Sequence, residues 1–145
     1  MALFADDTQL FYPVYSAYNV TNSSAASGWK TMDWATVEID TTEISESSGT
    51  ITTQEAGYYF CAFNHHHNNG SHGQYRTQLT SNGIGDFSYA WHYDSDGSSI
   101  CGLVYLAEGW WVKAQVYHDN SAHATSNSNR RNKFVIWRFN GGTDF

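Results

Sequence analysis

This 145-residue sequence predicts an all-β fold in which two antiparallel sheets pack face to face. Aromatic residues make up 17% of the chain and charged residues only 14%, a composition that fits pleated strands joined by polar turns. Short apolar segments recur at near-regular spacing, and no segment of useful length has helical periodicity. In a single domain, strands with this spacing form a sandwich or a barrel.

Strands are predicted at 10–18, 34–40, 50–53, 56–64, 75–81, 86–93, 99–107, 110–118 and 133–140. The intervening segments are rich in Gly, Asn and Ser, which suit the positive φ angles of tight turns. We interpret residues 1–9 as an N-terminal arm and residues 10–145 as one β domain. The apolar Leu3 and Phe4 are interpreted as an attachment to a partner, and folding back of Phe4 onto the domain is the alternative.

The segment Gly57–Phe63 is apolar on both faces, whereas a half-buried strand alternates apolar with polar residues. Residues 10–15, 100–106 and 134–139 share this property. A strand that is apolar on both faces is covered on both sides. One cover is the second sheet, and the other is predicted to be another copy of the chain, because soluble monomers rarely expose such a face. The alternative is a monomer in which a β-bulge reverses the assigned faces.

Residues 56–60 read Ala-Gly-Tyr-Tyr-Phe and resemble the Gly-X-Tyr-aromatic-Phe strand of the globular heads of complement component 1q. The jelly roll of those heads is shared with the tumour necrosis factor superfamily. Segments 34–40, 79–83, 103–109 and 133–139 are also similar to that family in order and spacing. The resemblance implies a two-sheet antiparallel jelly-roll sandwich that forms a homotrimer through the sheet holding the strands with two apolar faces.

On this resemblance, the trimer interface is predicted to contain Tyr58, Phe60, Phe63, Val135 and Trp137. The chain departs from the family at Trp110 and Trp111, where an acidic residue is usual, and these departures bear on ligand chemistry rather than on the fold. By strand alternation only one of the two indoles can face solvent, where it could stack on a sugar ring. No Gly-X-Y stalk is present, so a complement role is not expected.

The histidines at 65–67 and 72 form the most conspicuous polar cluster of the sequence. In a strand His65 and His67 share a face, and a trimer would triplicate them, which would suit a transition metal. The alternative is a polar loop, since no Cys or acidic residue lies between His65 and His72 to complete a ligand set. No cofactor is therefore expected, and His65, His67 and His72 are the candidate metal ligands. The segment 94–97, Asp-Ser-Asp-Gly, is interpreted as a turn rather than a calcium loop.

Catalytic motifs of the Gly-x-Ser-x-Gly and His-Glu-x-x-His kinds are absent from the sequence, and we expect no enzymatic activity. The net charge of −7 disfavours nucleic acid as the main partner, because phosphate binding relies on a basic surface. A membrane partner is not expected either, since no apolar run has the length of a spanning helix. The residues after Met1 lack the pattern of a signal peptide. The sequence does not require a disulfide bond between Cys61 and Cys101.

The function predicted from the sequence is a virion structural protein, a trimeric decoration, spike or fibre-head module of a bacteriophage, assembled in the host cytoplasm. Its partners would be its own copies, other virion or capsid proteins and, as a further option, a host surface glycan. The alternative is a secreted module of the complement-head type that recognises glycans or proteins through its apical loops. A glycan-active enzyme is the third option, because the spatial pairing of carboxylates cannot be seen in a sequence.

Overall fold

The computed structural model describes residues 11–21, 28–68, 74–93, 97–118, 124–125 and 132–139. Their strands are β1 (Phe11–Val20), β2 (Gly28–Thr31), β3 (Trp34–Asp40), β4 (Ile44–Ser47), β5 (Thr50–Thr53), β6 (Gly57–Asn68), β7 (Gln74–Ser81), β8 (Gly85–Tyr93), β9 (Gly97–Leu106), β10 (Trp111–His118), β11 (Ala124–Thr125) and β12 (Lys133–Phe139). Within these ranges no helix is long and apolar enough to cross a membrane.

The strands form two antiparallel sheets that face each other. Sheet A has the order β9-β6-β12-β1-β3, with the short β11 also paired to β6. Sheet B has the order β4-β5-β10-β7-β8, with β2 also paired to β10. The predicted two-sheet antiparallel sandwich is therefore confirmed. The four strands that are apolar on both faces are consecutive neighbours in sheet A, which explains why they share this property.

Three short strands, β2, β4 and β11, were not predicted from the sequence. They contain too few apolar residues to show the two-residue hydrophobic period of a strand. β4 has one apolar residue, Ile44, and joins β5 through a two-residue turn. Ser48 and Gly49 both have positive φ there, 48° and 76°, as a type I′ hairpin requires. A Cβ atom on Gly49 would lie 1.9 Å from the carbonyl oxygen of Met32, so only glycine fits this position.

The core lies between the two sheets and is rich in aromatic residues. Its largest fully buried apolar side chains are Tyr15, Met32, Ile51, Tyr59, Phe63, Tyr75, Leu79, Leu106, Phe134 and Ile136. Met32 lies between β2 and β3, and the other residues alternate along their strands with residues on the outer faces, as the pleat requires. Tyr59 satisfies its hydroxyl by donating a hydrogen bond of 2.7 Å to the backbone oxygen of Glu55.

The position of Phe63 corrects the sequence analysis. Its side chain is fully buried within a single chain, and its ring lies 6.0 Å from that of Trp34 and 6.4 Å from that of Phe134. Phe60 and Phe63 are three positions apart, and an odd separation in a strand places two side chains on opposite faces. The assignment of Phe63 to the trimer interface is therefore wrong, because its side chain has no surface left for another chain.

Candidate functional site

The face of sheet A that points away from sheet B is apolar, except at Ser16, over three successive rows of directly opposed residues. The first row is Phe11, Phe139, Tyr58 and Tyr105, the second is Pro13, Trp137, Phe60 and Leu103, and the third is Ser16, Val135, Ala62 and Cys101. We call these three rows the apolar face. The next row, Tyr18, Lys133, Asn64 and Ser99, is polar and bounds the apolar face at one end.

The rings of the apolar face pack on one another while much of their surface stays open. The Phe60 and Trp137 ring centroids are 5.8 Å apart, and Phe11 stacks on Trp137 at 6.2 Å. Leu103 is nevertheless 63% exposed and Tyr58 48% exposed in the single chain. Contiguous apolar surface of this kind marks an interaction site in a soluble protein. The mutual packing holds these rings in place within the single chain.

The structure brings together four of the five predicted interface residues, Tyr58, Phe60, Val135 and Trp137, which lie on the neighbouring strands β6 and β12. It adds four apolar side chains that the prediction did not name, Phe11, Leu103, Tyr105 and Phe139. Their strands had been identified as apolar on both faces. Strict alternation along the segments 100–106 and 134–139 would have identified Leu103, Tyr105 and Phe139.

The two cysteines lie on adjacent strands, and both are free thiols. Cys101 opposes Ala62 on the apolar face and is exposed, whereas Cys61 opposes Gly102 and points into the core. Their opposite directions keep the sulfurs from bonding to each other. Burial raises the pKa of the Cys61 thiol. Because Cys101 is exposed, it is the accessible thiol of the pair.

The structure separates the histidine cluster by strand alternation. His65 is buried on the core side of β6, and its ring lies 5.8 Å from that of Tyr75 and 6.0 Å from that of His118. His66 is partly buried and lies on the opposite side of the strand. Across the described ranges, no three His, Cys, Asp or Glu side chains are grouped to hold a metal ion.

Several candidate residues fall outside what the structure describes. These are Leu3 and Phe4 of the arm, the side chain of His67, the whole of His72, and the segment 94–96. A metal site that includes His67 and His72, and attachment through the arm, remain predictions.

The structure places the two adjacent tryptophans on opposite sides of sheet B. Trp110 packs against the core. Trp111 lies on the outer face of sheet B, and its ring centroid is 4.2 Å from Nζ of Lys113.

Comparison with known proteins gives a structural match without a sequence match. Two crystal structures of murine APRIL, at pH 8.0 and pH 8.5, superpose with TM-scores of 0.70 and 0.68. Their sequence identities are 10% and 12%, and each alignment covers 87% of this chain and 98% of the APRIL chain. The fold is the tumour necrosis factor-like jelly roll. No protein-family model and no curated sequence matches the chain. At this identity the likeness establishes the fold alone.

Proposed function

We propose that this chain is a non-enzymatic recognition and assembly module that works as a homotrimer joined through the apolar face of sheet A. The observation that supports the proposal is the set of three apolar rows across β1, β12, β6 and β9. Each aromatic side chain removed from water buries about 150–250 Å². At about 25 cal/mol per Å², a few such residues in each chain would stabilise an association strongly.

The boundary of the apolar face also has the composition of an interface rim. Beyond the third apolar row, Lys133 Nζ lies 3.2 Å from Glu38 Oε2, and both side chains are partly exposed. Ser16 Oγ donates a hydrogen bond of 3.2 Å to the same carboxylate oxygen. Stable interfaces combine an apolar centre with a polar, solvated rim, and sheet A has both. The proposal that three chains assemble, and not two or four, rests on the resemblance to tumour necrosis factor-like proteins.

Within this class, the finer proposal is a part of a bacteriophage particle with other virion proteins as partners. Its support comes from the sequence, through the missing catalytic motifs and the apolar Leu3 and Phe4 of the arm. The likeness to murine APRIL adds nothing to a viral assignment. The second candidate is a secreted recognition module, and the exposed aromatic residues on the outer face of sheet B favour it.

The trimer is tested by combining mass measurement with thiol accessibility. Light scattering should give three times the chain mass of 16.3 kDa over micromolar dilution. A maleimide probe should modify Cys101 slowly in the assembly, because the apolar face would be covered, and rapidly once the assembly is dissociated. Cys61 serves as the internal control, since it should react only on unfolding. A folded monomer with a fast-reacting Cys101 would refute the proposed trimer.

Placement on a particle is tested separately by deleting residues 1–9. The truncated chain should stay trimeric, because the deleted segment precedes every strand of sheet A that the structure describes. It should lose binding to purified particles that retain the full chain. Unchanged binding by the truncated trimer would contradict a tethering role of Leu3 and Phe4 without affecting the trimer itself.

A further inference from the structure

The outer face of sheet B differs chemically from the apolar face. Two rows of directly opposed residues cross the strands β2, β10, β7 and β8. The first row is Trp29, Tyr117, Arg76 and Trp91, and the second is Thr31, Gln115, Gln78 and Tyr89. Large rings alternate here with amide, hydroxyl and guanidinium groups, whereas the rows of sheet A are apolar almost throughout.

The first row forms a continuous series of ring and cation–π contacts across the four strands, which we call the stack, although the Trp29 and Tyr117 rings are tilted by 58°. The Trp29 and Tyr117 ring centroids are 5.5 Å apart, and the guanidinium carbon of Arg76 lies 5.2 Å from the Tyr117 centroid. The same carbon lies 3.3 Å from the centroid of Trp91, a close cation–π contact. Adjacent strands are about 4.8 Å apart, so the stack is about 14 Å wide. It has the width of an oligosaccharide rather than of one sugar.

The rings of this surface remain open to solvent, and contacts within the stack hold two of them, Trp29 and Trp91. Tyr89 is 68% exposed, Trp91 47% and Trp29 45%. Together with Arg76, Gln78 and Asp86 they line a shallow cavity of about 310 Å³. This volume lies at the lower end of the range of small-ligand sites, about 300–1,000 Å³.

The second row supplies oriented polar groups at the base of the cavity. Gln78 Nε2 donates a hydrogen bond of 2.8 Å to Gln115 Oε1, and Gln115 Nε2 donates one of 3.1 Å to Thr31 Oγ1. These two hydrogen bonds fix the orientation of the Gln78 amide. The amide has more donors and acceptors than its hydrogen bond to Gln115 uses. Tyr89 and Asp86 add an exposed hydroxyl and an exposed carboxylate to the same cavity.

We propose that this surface, lined by Trp29, Arg76, Gln78, Asp86, Tyr89 and Trp91, binds a neutral oligosaccharide. A pyranose ring presents C–H groups on its faces and hydroxyls around its edge. The C–H face packs on the electron-rich face of an aromatic ring, and the hydroxyls need fixed donors and acceptors. The alternation of exposed rings with amide, carboxylate and guanidinium groups on sheet B matches both requirements. Protein–protein interfaces instead place a more apolar centre inside a polar rim, as sheet A does.

The charge of the site and of the chain selects a neutral glycan over an anionic one. The cavity holds one cation, Arg76, and one carboxylate, Asp86, so that their charges balance. The chain carries a net charge of −7, which repels sulfated or phosphorylated polymers. This inference deepens the proposed recognition role by naming its ligand class. The site lies within one chain, so glycan binding does not depend on assembly. A monomer that binds glycan would therefore refute the proposed trimer and support the glycan site.

The test is binding of the full chain to an immobilised panel of neutral oligosaccharides. The panel contains gluco-, manno-, galacto- and xylo-configured chains and N-acetylglucosamine oligomers, and a heparin fragment represents anionic glycans. We expect binding to at least one neutral member, with quenching of tryptophan fluorescence. Tyr89→Ala and Trp91→Ala should each weaken that binding about tenfold or more, because each removes a stacking surface. Trp91→Phe should recover part of the affinity by restoring a ring.

The control is Ile84→Ala, which removes an apolar side chain of similar exposure, 50%, in the turn between β7 and β8, and it should bind like the parent. If Trp91→Ala unfolds because Arg76 loses its stacking partner, Tyr89→Ala still decides the question, since that side chain is mostly in solvent. The proposal is overturned by no binding across the neutral panel, by binding to heparin alone, or by unchanged binding in the Tyr89→Ala variant. It is also overturned if Tyr89→Ala alters the oligomeric state, because the surface would then be a contact between chains.

Discussion

Phe60 and Phe63 lie three residues apart in β6 and project from opposite faces of sheet A. The ring of Phe60 packs 5.8 Å from Trp137 on the outer side, and the ring of Phe63 packs 6.0 Å from Trp34 in the core. One short segment thus carries two separate tasks, holding the sandwich together and presenting an apolar surface. Mutations at the two positions should therefore have different consequences.

Phe63→Ala should destabilise the single chain by about 3–5 kcal/mol, since it opens a cavity in a filled core. Phe60→Ala should cost the fold much less in the dissociated chain and should weaken assembly instead. Urea unfolding under dissociating conditions measures the first effect, and light scattering measures the second. Equal losses of folding stability at the two positions would contradict the assignment of the faces.

Leu103→Glu should dissociate the proposed trimer without unfolding the chain. The side chain is 63% exposed in a single copy, so a carboxylate there stays hydrated in the monomer. In a trimer closed by the apolar face, each copy would bury a charge that has no partner, which is strongly unfavourable. Light scattering should report a monomer, with an unchanged circular dichroism spectrum. Tyr89→Glu is the matched control, because Tyr89 is 68% exposed on the other sheet, and it should stay trimeric.

The strand pattern was readable from the sequence wherever apolar side chains repeat. The segments 34–40 and 50–53 were predicted with their observed bounds, and the strands with two apolar faces proved to be neighbours. Phe63 was misassigned because the interface was inferred from a resemblance instead of from alternation along β6. Strand parity is a local property that a sequence carries, and it should have taken precedence.

The surface on sheet B could not be found in the same way. Trp29, Arg76 and Trp91 come from three strands, and β2 has too few residues to show a period. Their meeting depends on the register of β2 with β10 and of β7 with β8. Such long-range registers are set by the whole fold. The sequence did suggest an exposed indole at Trp110 or Trp111, and Trp111 is on this outer face.

Removing the charge of Glu43 should destabilise the fold more than removing that of Glu55. Arg138 Nη1 lies 2.8 Å from Glu43 Oε2, with the two side chains only 16% and 19% exposed, and it also contacts Glu55, which is 54% exposed. Burial, reinforced by the Glu43 carboxylate, raises the pKa of Tyr12, whose hydroxyl donates to Glu43. We expect a loss of about 1–3 kcal/mol for Glu43→Gln and less than about 1 kcal/mol for Glu55→Gln. Urea unfolding of both variants measures the difference, and equal losses would show that burial does not strengthen the Glu43 pair.

Mild acid should destabilise the fold through His92. Its ring stacks on Tyr75 with centroids 5.0 Å apart, and burial lowers the pKa of His92 below the ordinary value of 6.5. The unfolded chain then binds a proton more readily than the folded chain, so the stability is complete above about pH 6.5 and declines as the pH falls below it. The urea midpoint should fall between about pH 7.5 and about pH 5.5, and His92→Gln should reduce this slope. His66→Gln is the control, because His66 is also partly buried but lies on the outer side of sheet A, away from His92. A pH dependence of the urea midpoint that changes in His66→Gln but not in His92→Gln would contradict the prediction.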